Sequence, residues 1–140
     1  MAKRDEAVTV LQGCGDLVSA GTAYSILGRA IRRASGISDS EPISEQRRRL
    51  QVHLGRSIAP AELERVATFF NELCGIPAAD ENAPMLRAAR KDPMVMVSRI
   101  RRAFLDWLGA ECQAAPVLFV LDDLHWADPA TCDLLRYMAR

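Results

Sequence analysis

The sequence has no excess of either charge: 18 basic and 18 acidic residues sum to a formal net charge of zero. That balance leaves no overall electrostatic footprint for nucleic acid, and no nucleic-acid partner is expected. No Cys-x-x-Cys pair occurs among Cys14, Cys74, Cys112 and Cys132, and His53 and His125 are the only histidines. A zinc site is therefore poorly supported, and free, mostly buried thiols in a reducing compartment are the expectation. No apolar run reaches the length of a membrane span, and the start Met-Ala-Lys-Arg-Asp-Glu has no signal-peptide apolar region. A cytoplasmic protein without a membrane partner is expected. No internal repeat or low-complexity segment is visible. What remains is an ordinary globular composition, 49% hydrophobic and 26% charged over 140 residues, with room for one domain and a modest core.

Glycine-rich nucleotide loops are also missing. Ala7-Val-Thr-Val-Leu11 reads as a strand of about residues 7–11, followed by Gln12-Gly-Cys-Gly-Asp16. A strand, glycines and a helix in succession can cradle phosphate. The phosphate-loop pattern G-x-x-x-x-G-K-[S/T], however, needs a lysine to reach the β- and γ-phosphates. Gly13, Gly15 and Gly21 do not give its spacing, and no lysine lies between Lys3 and Lys91. The pattern G-x-G-x-x-G fails at Val18. These glycines are expected to serve tight turns.

Helical periodicity dominates the chain from Gly21 to Cys112. Residues 21–35 place Tyr24, Leu27, Ile31 and Ala34 on one face, with Gly36 as a C-terminal stop. Residues 43–54 form a thinner amphipathic helix, and Arg47, Arg48 and Arg49 beside Glu41 and Glu45 read as a solvated face. Pro60 opens a helix with Leu63, Val66, Ala67, Phe70, Leu73 and Cys74 on its stripe, ended by Gly75-Ile-Pro77. A loop runs on to residue 84, then a short helix at 85–91. Asp92-Pro93 caps a helix running to about Cys112, with Val97, Ile100, Phe104, Trp107 and Leu108 inward. Arg99, Arg101 and Arg102 lie off that face; an arginine finger is conceivable there, and a surface role is favoured.

The most informative stretch is Pro116 to Pro129. Five apolar residues, Val117 to Leu121, end on the adjacent carboxylates Asp122 and Asp123. An unbroken run of this kind suits a strand buried on both faces, here about residues 117–121. Open α/β sheets place ligands at the carboxyl ends of such strands. Asp128 and Pro129 then give an N-cap and a first helical residue. A carboxylate fixed at a strand end can hold hydrated Mg²⁺, and a second can orient or deprotonate a water. Side-chain alternation along a strand would send the two acids to opposite faces. An Asp pair after a strand is equally a good loop start.

Val117 to Asp128 resembles the Walker B segment of the regulatory AAA-like ATPases of the signal-transduction (STAND) class. In bacteria such domains are often fused to serine/threonine protein kinases, nucleotide cyclases or transcription regulators. The resemblance implies Asp122 as the Mg²⁺-associated acid and Asp123 as the water-activating acid, in place of the commoner Glu. His125 and Trp126 match the signature beyond the acids, with packing favoured for Trp126 and a structural role for His125. Gly13 to Asp16, Ser19 to Tyr24, Leu86 to Arg90, Asp92 to Met94 and Ala103 to Leu108 look like further stations of the kinase-attached subfamily.

The resemblance thus implies an α/β fragment, residues 1–140, of the three-layer sandwich of P-loop NTPases, helix-rich with two parallel strands. The phosphate loop would lie upstream, and the sensor strand and lid downstream. Mg²⁺ and ATP belong to the complete domain, and neither is expected to bind this fragment tightly. The expected function is that of a Walker B-bearing piece of a regulatory ATPase, inactive alone. The alternatives are an interaction module, through self-association or pairing with a related ATPase chain, and a non-functional remnant.

Overall fold

A computed structural model describes residues 8–18, 23–80 and 82–139. Its elements are β1 (Thr9–Cys14), α1 (Ser25–Ala34), α2 (Ile43–Leu54), α3 (Pro60–Cys74), α4 (Pro84–Arg90), α5 (Pro93–Ala114), β2 (Val117–Asp122), a 3-10 turn (Leu124–Trp126) and α6 (Pro129–Met138). The two strands pair in parallel, with Thr9 opposite Val117 and Cys14 opposite Asp122. Parallel neighbours need a long crossover, and α1 to α5 form it. The chain is helix-rich with two parallel strands, as its sequence indicates.

Both strands run past their expected ends. β1 continues through Gly13 to Cys14, so Gly13 is a strand residue and not part of a turn, while Ala7 lies outside the described residues. Its glycine is explained by α1. A Cβ at residue 13 would stand 2.8 Å from Ile26 Cγ2 and 2.9 Å from the Ile26 carbonyl oxygen. Only a bare Cα lets the helix approach the strand so closely. β2 likewise takes in Asp122 as its last residue.

The expectation that residues 117–121 are buried on both faces is corrected. Val117 and Phe119 pack against the core, whereas Leu118 and Val120 are 51% and 44% exposed. In β1, Leu11 is buried while Val10 is 44% exposed, and Val8, just before the strand, is 50% exposed. Period-two alternation puts these four exposed side chains on one face of the sheet, and no described element covers it. The described residues therefore give one helical layer on one side of a two-stranded sheet.

The helical layer is closed by local devices. α1 begins at Ser25, later than expected; of residues 21–24, Gly21 and Thr22 lie outside the described set and Tyr24 is left-handed (φ 59°). The buried Tyr24 hydroxyl donates to the Val97 carbonyl at 3.1 Å. Gly36 and Gly75 both take positive φ after α1 and α3. The next amides, Ile37 and Ile76, then bond back to Arg32 O and Asn71 O at 3.0 and 2.9 Å, a paired C-terminal closure that satisfies otherwise orphaned carbonyls. α4 starts at Pro84, one residue early, because proline fits a first helical turn. α5 extends to Ala114.

Aromatic packing joins this layer to the sheet. Phe70, Phe104 and Trp107 have ring centroids 5.7 to 6.1 Å apart, and Phe104 lies 6.2 Å from Phe119 of β2. Such contacts add to the area term of burial. The thiols are not mostly buried: Cys14 and Cys112 are exposed, Cys132 is half-buried, and only Cys74 is buried. Cys14 belongs to the uncovered sheet face and Cys112 to the outer side of α5. Burial pushes the Cys74 thiol up to about 12. The basic run of α2 is largely ion-paired, Arg48 with Glu45 and Arg49 with Glu41, while Arg47 donates to the Pro77 carbonyl at 2.9 Å. Arg101 is half-buried, with its guanidinium over the Tyr137 ring.

Candidate functional site

The acid pair stands where β2 stops. Asp122 is exposed on the uncovered side of the sheet, and its carbonyl accepts from Gly15 N–H at 3.0 Å. Its Oδ1 accepts from the Asp123 amide at 3.2 Å. Asp123 has left the strand and is left-handed, φ 53° and ψ 44°, a conformation Asp tolerates better than most residues. Alternation along a strand therefore does not govern it. Cys14, the cross-strand partner of Asp122, donates its thiol hydrogen to Asp123 Oδ2 at 3.4 Å. The expected divergence of the two acids is corrected: both lie beside Cys14. That contact is the leading cause raising the Cys14 thiol above its ordinary value, with Asp122 and Asp16 adding their charge.

Gly15 makes this convergence possible. A Cβ there would stand 2.5 Å from the Asp123 carbonyl oxygen and 3.1 Å from Trp126 Cβ. The exits of β1 and β2 are thus pressed together. Trp126 is half-buried, and its amide donates to the Asp123 carbonyl at 3.1 Å. His125 is exposed, its ring 4.8 Å from that of Trp126, and so is not an interior residue. Asp128, only 2% exposed, caps α6 as its position indicates. Its two oxygens accept from Thr131 N at 2.9 Å and Thr131 Oγ1 at 2.7 Å. This third acid is consumed by structure.

Beside the acids opens a cleft of about 440 Å³ lined by Gln12, Cys14, Arg29, Arg33, Val120 and Asp122. Arg29 pairs with Asp16 across its rim. Chemically, the pair offers carboxylate oxygens at a strand end, suited to a hard cation that keeps its waters. Among the described residues, no group of three or more His, Cys, Asp or Glu is placed to hold a metal ion. One or two carboxylates with water and substrate oxygens are the donor set that Mg²⁺ uses. Asp122 would hold it, with Asp123 beside. The Cys14 contact is invisible in linear sequence, since it depends on cross-strand register.

The model of the AAA ATPase domain family matches residues 1–140, and the chain belongs to that family. An uncharacterized protein of Rhizobium meliloti (strain 1021) is 36% identical over 52 residues, which cover 37% of this chain and 5% of that protein. The chain therefore matches a small part of that relative's length. No solved structure matches. Among the described residues no helix is long and apolar enough to cross a membrane.

Proposed function

We propose that this chain carries the Walker B portion of a cytoplasmic, STAND-class regulatory ATPase domain. The observation that carries the reading is the acid pair at the carboxyl end of a parallel strand, opening on a cleft, in a chain of the AAA ATPase family. In this reading Asp122 associates with Mg²⁺ of an ATP·Mg²⁺ complex, and Asp123 orients or deprotonates the attacking water. Mg²⁺ supplies charge neutralisation at the phosphates when bound. The protein groups do the rest: Gly15 leaves space for the acid loop, and Cys14 holds the Asp123 carboxylate. The 140 residues contain no lysine-bearing phosphate loop. The chain alone therefore lacks the amide cradle and cation that retain a triphosphate, and it releases no phosphate unaided.

Titration calorimetry with ATP·Mg²⁺, run beside Asp122→Ala, tests this. No micromolar binding and no turnover are expected of the isolated chain. Steady, Mg²⁺-dependent phosphate release abolished by Asp122→Ala would overturn the claim of inactivity. Weak Mn²⁺ binding seen by electron paramagnetic resonance should vanish in Asp122→Ala; unchanged binding would remove Asp122 from its role.

The uncovered face of Val8, Val10, Leu118 and Val120 favours a second reading. Parallel sheets are ordinarily covered on both faces. Pairing with a related ATPase chain, or self-association, would place a second layer on that face. Sedimentation at rising concentration tests the latter, and a constant monomer mass would exclude it.

A further inference from the structure

A buried polar cluster lies apart from the acid pair. Glu111 of α5 is 8% exposed, and each of its oxygens takes one hydroxyl. Thr9, the first residue of β1, donates at 3.2 Å, and Ser57, in the turn after α2, donates at 2.9 Å. One carboxylate therefore ties the strand and the α2–α3 turn to α5. One helical turn earlier, Trp107 packs against His53 of α2, ring centroids 6.1 Å apart. Both rings are buried, and among the described residues His53 Nε2 and Trp107 Nε1 have no hydrogen-bond partner. Buried polar atoms of that kind are uncommon. His53 thus packs on Trp107, one turn of α5 before an acid that is already committed elsewhere, and that acid's charge acts on the imidazole.

We propose that the Thr9–Glu111–Ser57 bridge is a proton-operated latch on β1: when His53 takes up a proton, its cation draws Glu111 away from Thr9 and frees the start of the strand. The charges facing His53 are Glu111 from α5, which favours proton uptake, and Arg56 from the turn, which opposes it. Desolvation is the larger influence and holds the imidazole below its ordinary value, so the latch opens on the acid side of neutrality. A charged imidazole in that buried site gains by recruiting a carboxylate, and Glu111 is the acid whose charge acts on it. The backbone consequence is local. Thr9 N–H bonds the Pro116 carbonyl at 2.9 Å, at the point where β1 and β2 first meet.

The test is amide exchange of Thr9 and Val10 by NMR from about pH 7.5 to about pH 5, corrected for intrinsic rates and referenced to Leu27 in α1. Protection at Thr9 and Val10 should fall by about tenfold, a local opening with α1 intact, at the midpoint of the His53 ring titration. Glu111→Gln keeps an acceptor without charge and should flatten the response, as should His53→Gln. Equal loss in His53→Gln, or a midpoint that does not coincide with the His53 ring in the unaltered protein, would overturn the latch. The second readout needs no variant and holds even where a substitution fails to fold.

Discussion

Gly15 lies against the backbone of Asp123, with the place of its absent Cβ 2.5 Å from the Asp123 carbonyl oxygen. The contact is backbone to backbone, so neither side can yield by changing a rotamer. It presses the exit of β1 onto the acid-bearing turn, where the Gly15 amide also bonds the Asp122 carbonyl. The position of the second acid is therefore set by a glycine more than a hundred residues earlier.

Gly15→Ala should destabilise the chain by about 1–3 kcal/mol, the usual range for overpacking a closed contact. It should also displace Asp123, seen as changed amide shifts for Asp123 to Trp126. Gly109→Ala is the control, since among the described residues no atom beyond its own helix lies within 4 Å of its added Cβ in the middle of α5. That change should stabilise by about 0.5–1 kcal/mol on helix propensity alone. Urea melts of the pair decide the matter. If both variants lose stability alike, the close approach at Gly15 is not what holds the turn.

Asp128 offers a second measurement. Its carboxylate satisfies both the Thr131 amide and the Thr131 hydroxyl inside the protein. Asp128→Ala removes an N-cap and leaves a buried hydroxyl without its acceptor, a loss of about 1–3 kcal/mol. Asp128→Asn retains an acceptor oxygen and should lose less. Equal midpoints for the two variants in urea would mean that capping contributes little there.

Elements whose causes are local are legible in the sequence. Asp92 and Asp128 cap the helices they precede, Gly36 and Gly75 end theirs, and α2 keeps its expected bounds. The strand–acid–turn–helix order from Val117 to Pro129 is equally plain. The features that are not legible have non-local causes. Gly13 looks like a turn residue because the reason for it, Ile26, lies on another element. The apolar run of β2 reads the same whether one face or both are covered. The Asp123–Cys14 contact requires the register of β1 on β2. Glu111 does carry a local signal, easily passed over in a charged residue: it succeeds Phe104 and Trp107 at helical spacing, on the inward face of α5.

His53 sets the pH dependence of stability on the acid side. Burial lowers its folded-state value beneath the ordinary 6.5, which the unfolded chain recovers. The unfolded state thus binds the proton more readily. The stability that the neutral His53 contributes is fully present above about pH 6.5, declines as pH falls below it, and is lost by the time pH has passed the lowered folded value. Glu45 works in a separate window. Its bond from Arg48 lowers it from 4.5, so its contribution is present above that value and lost only at lower pH. Among the described residues, urea midpoints between about pH 7.5 and about pH 5 therefore report chiefly on His53. The unaltered protein should weaken steadily over that span, and His53→Gln should be nearly flat. A slope of equal size in His53→Gln would assign the loss to other groups and separate the buried imidazole from the acid sensitivity of the fold.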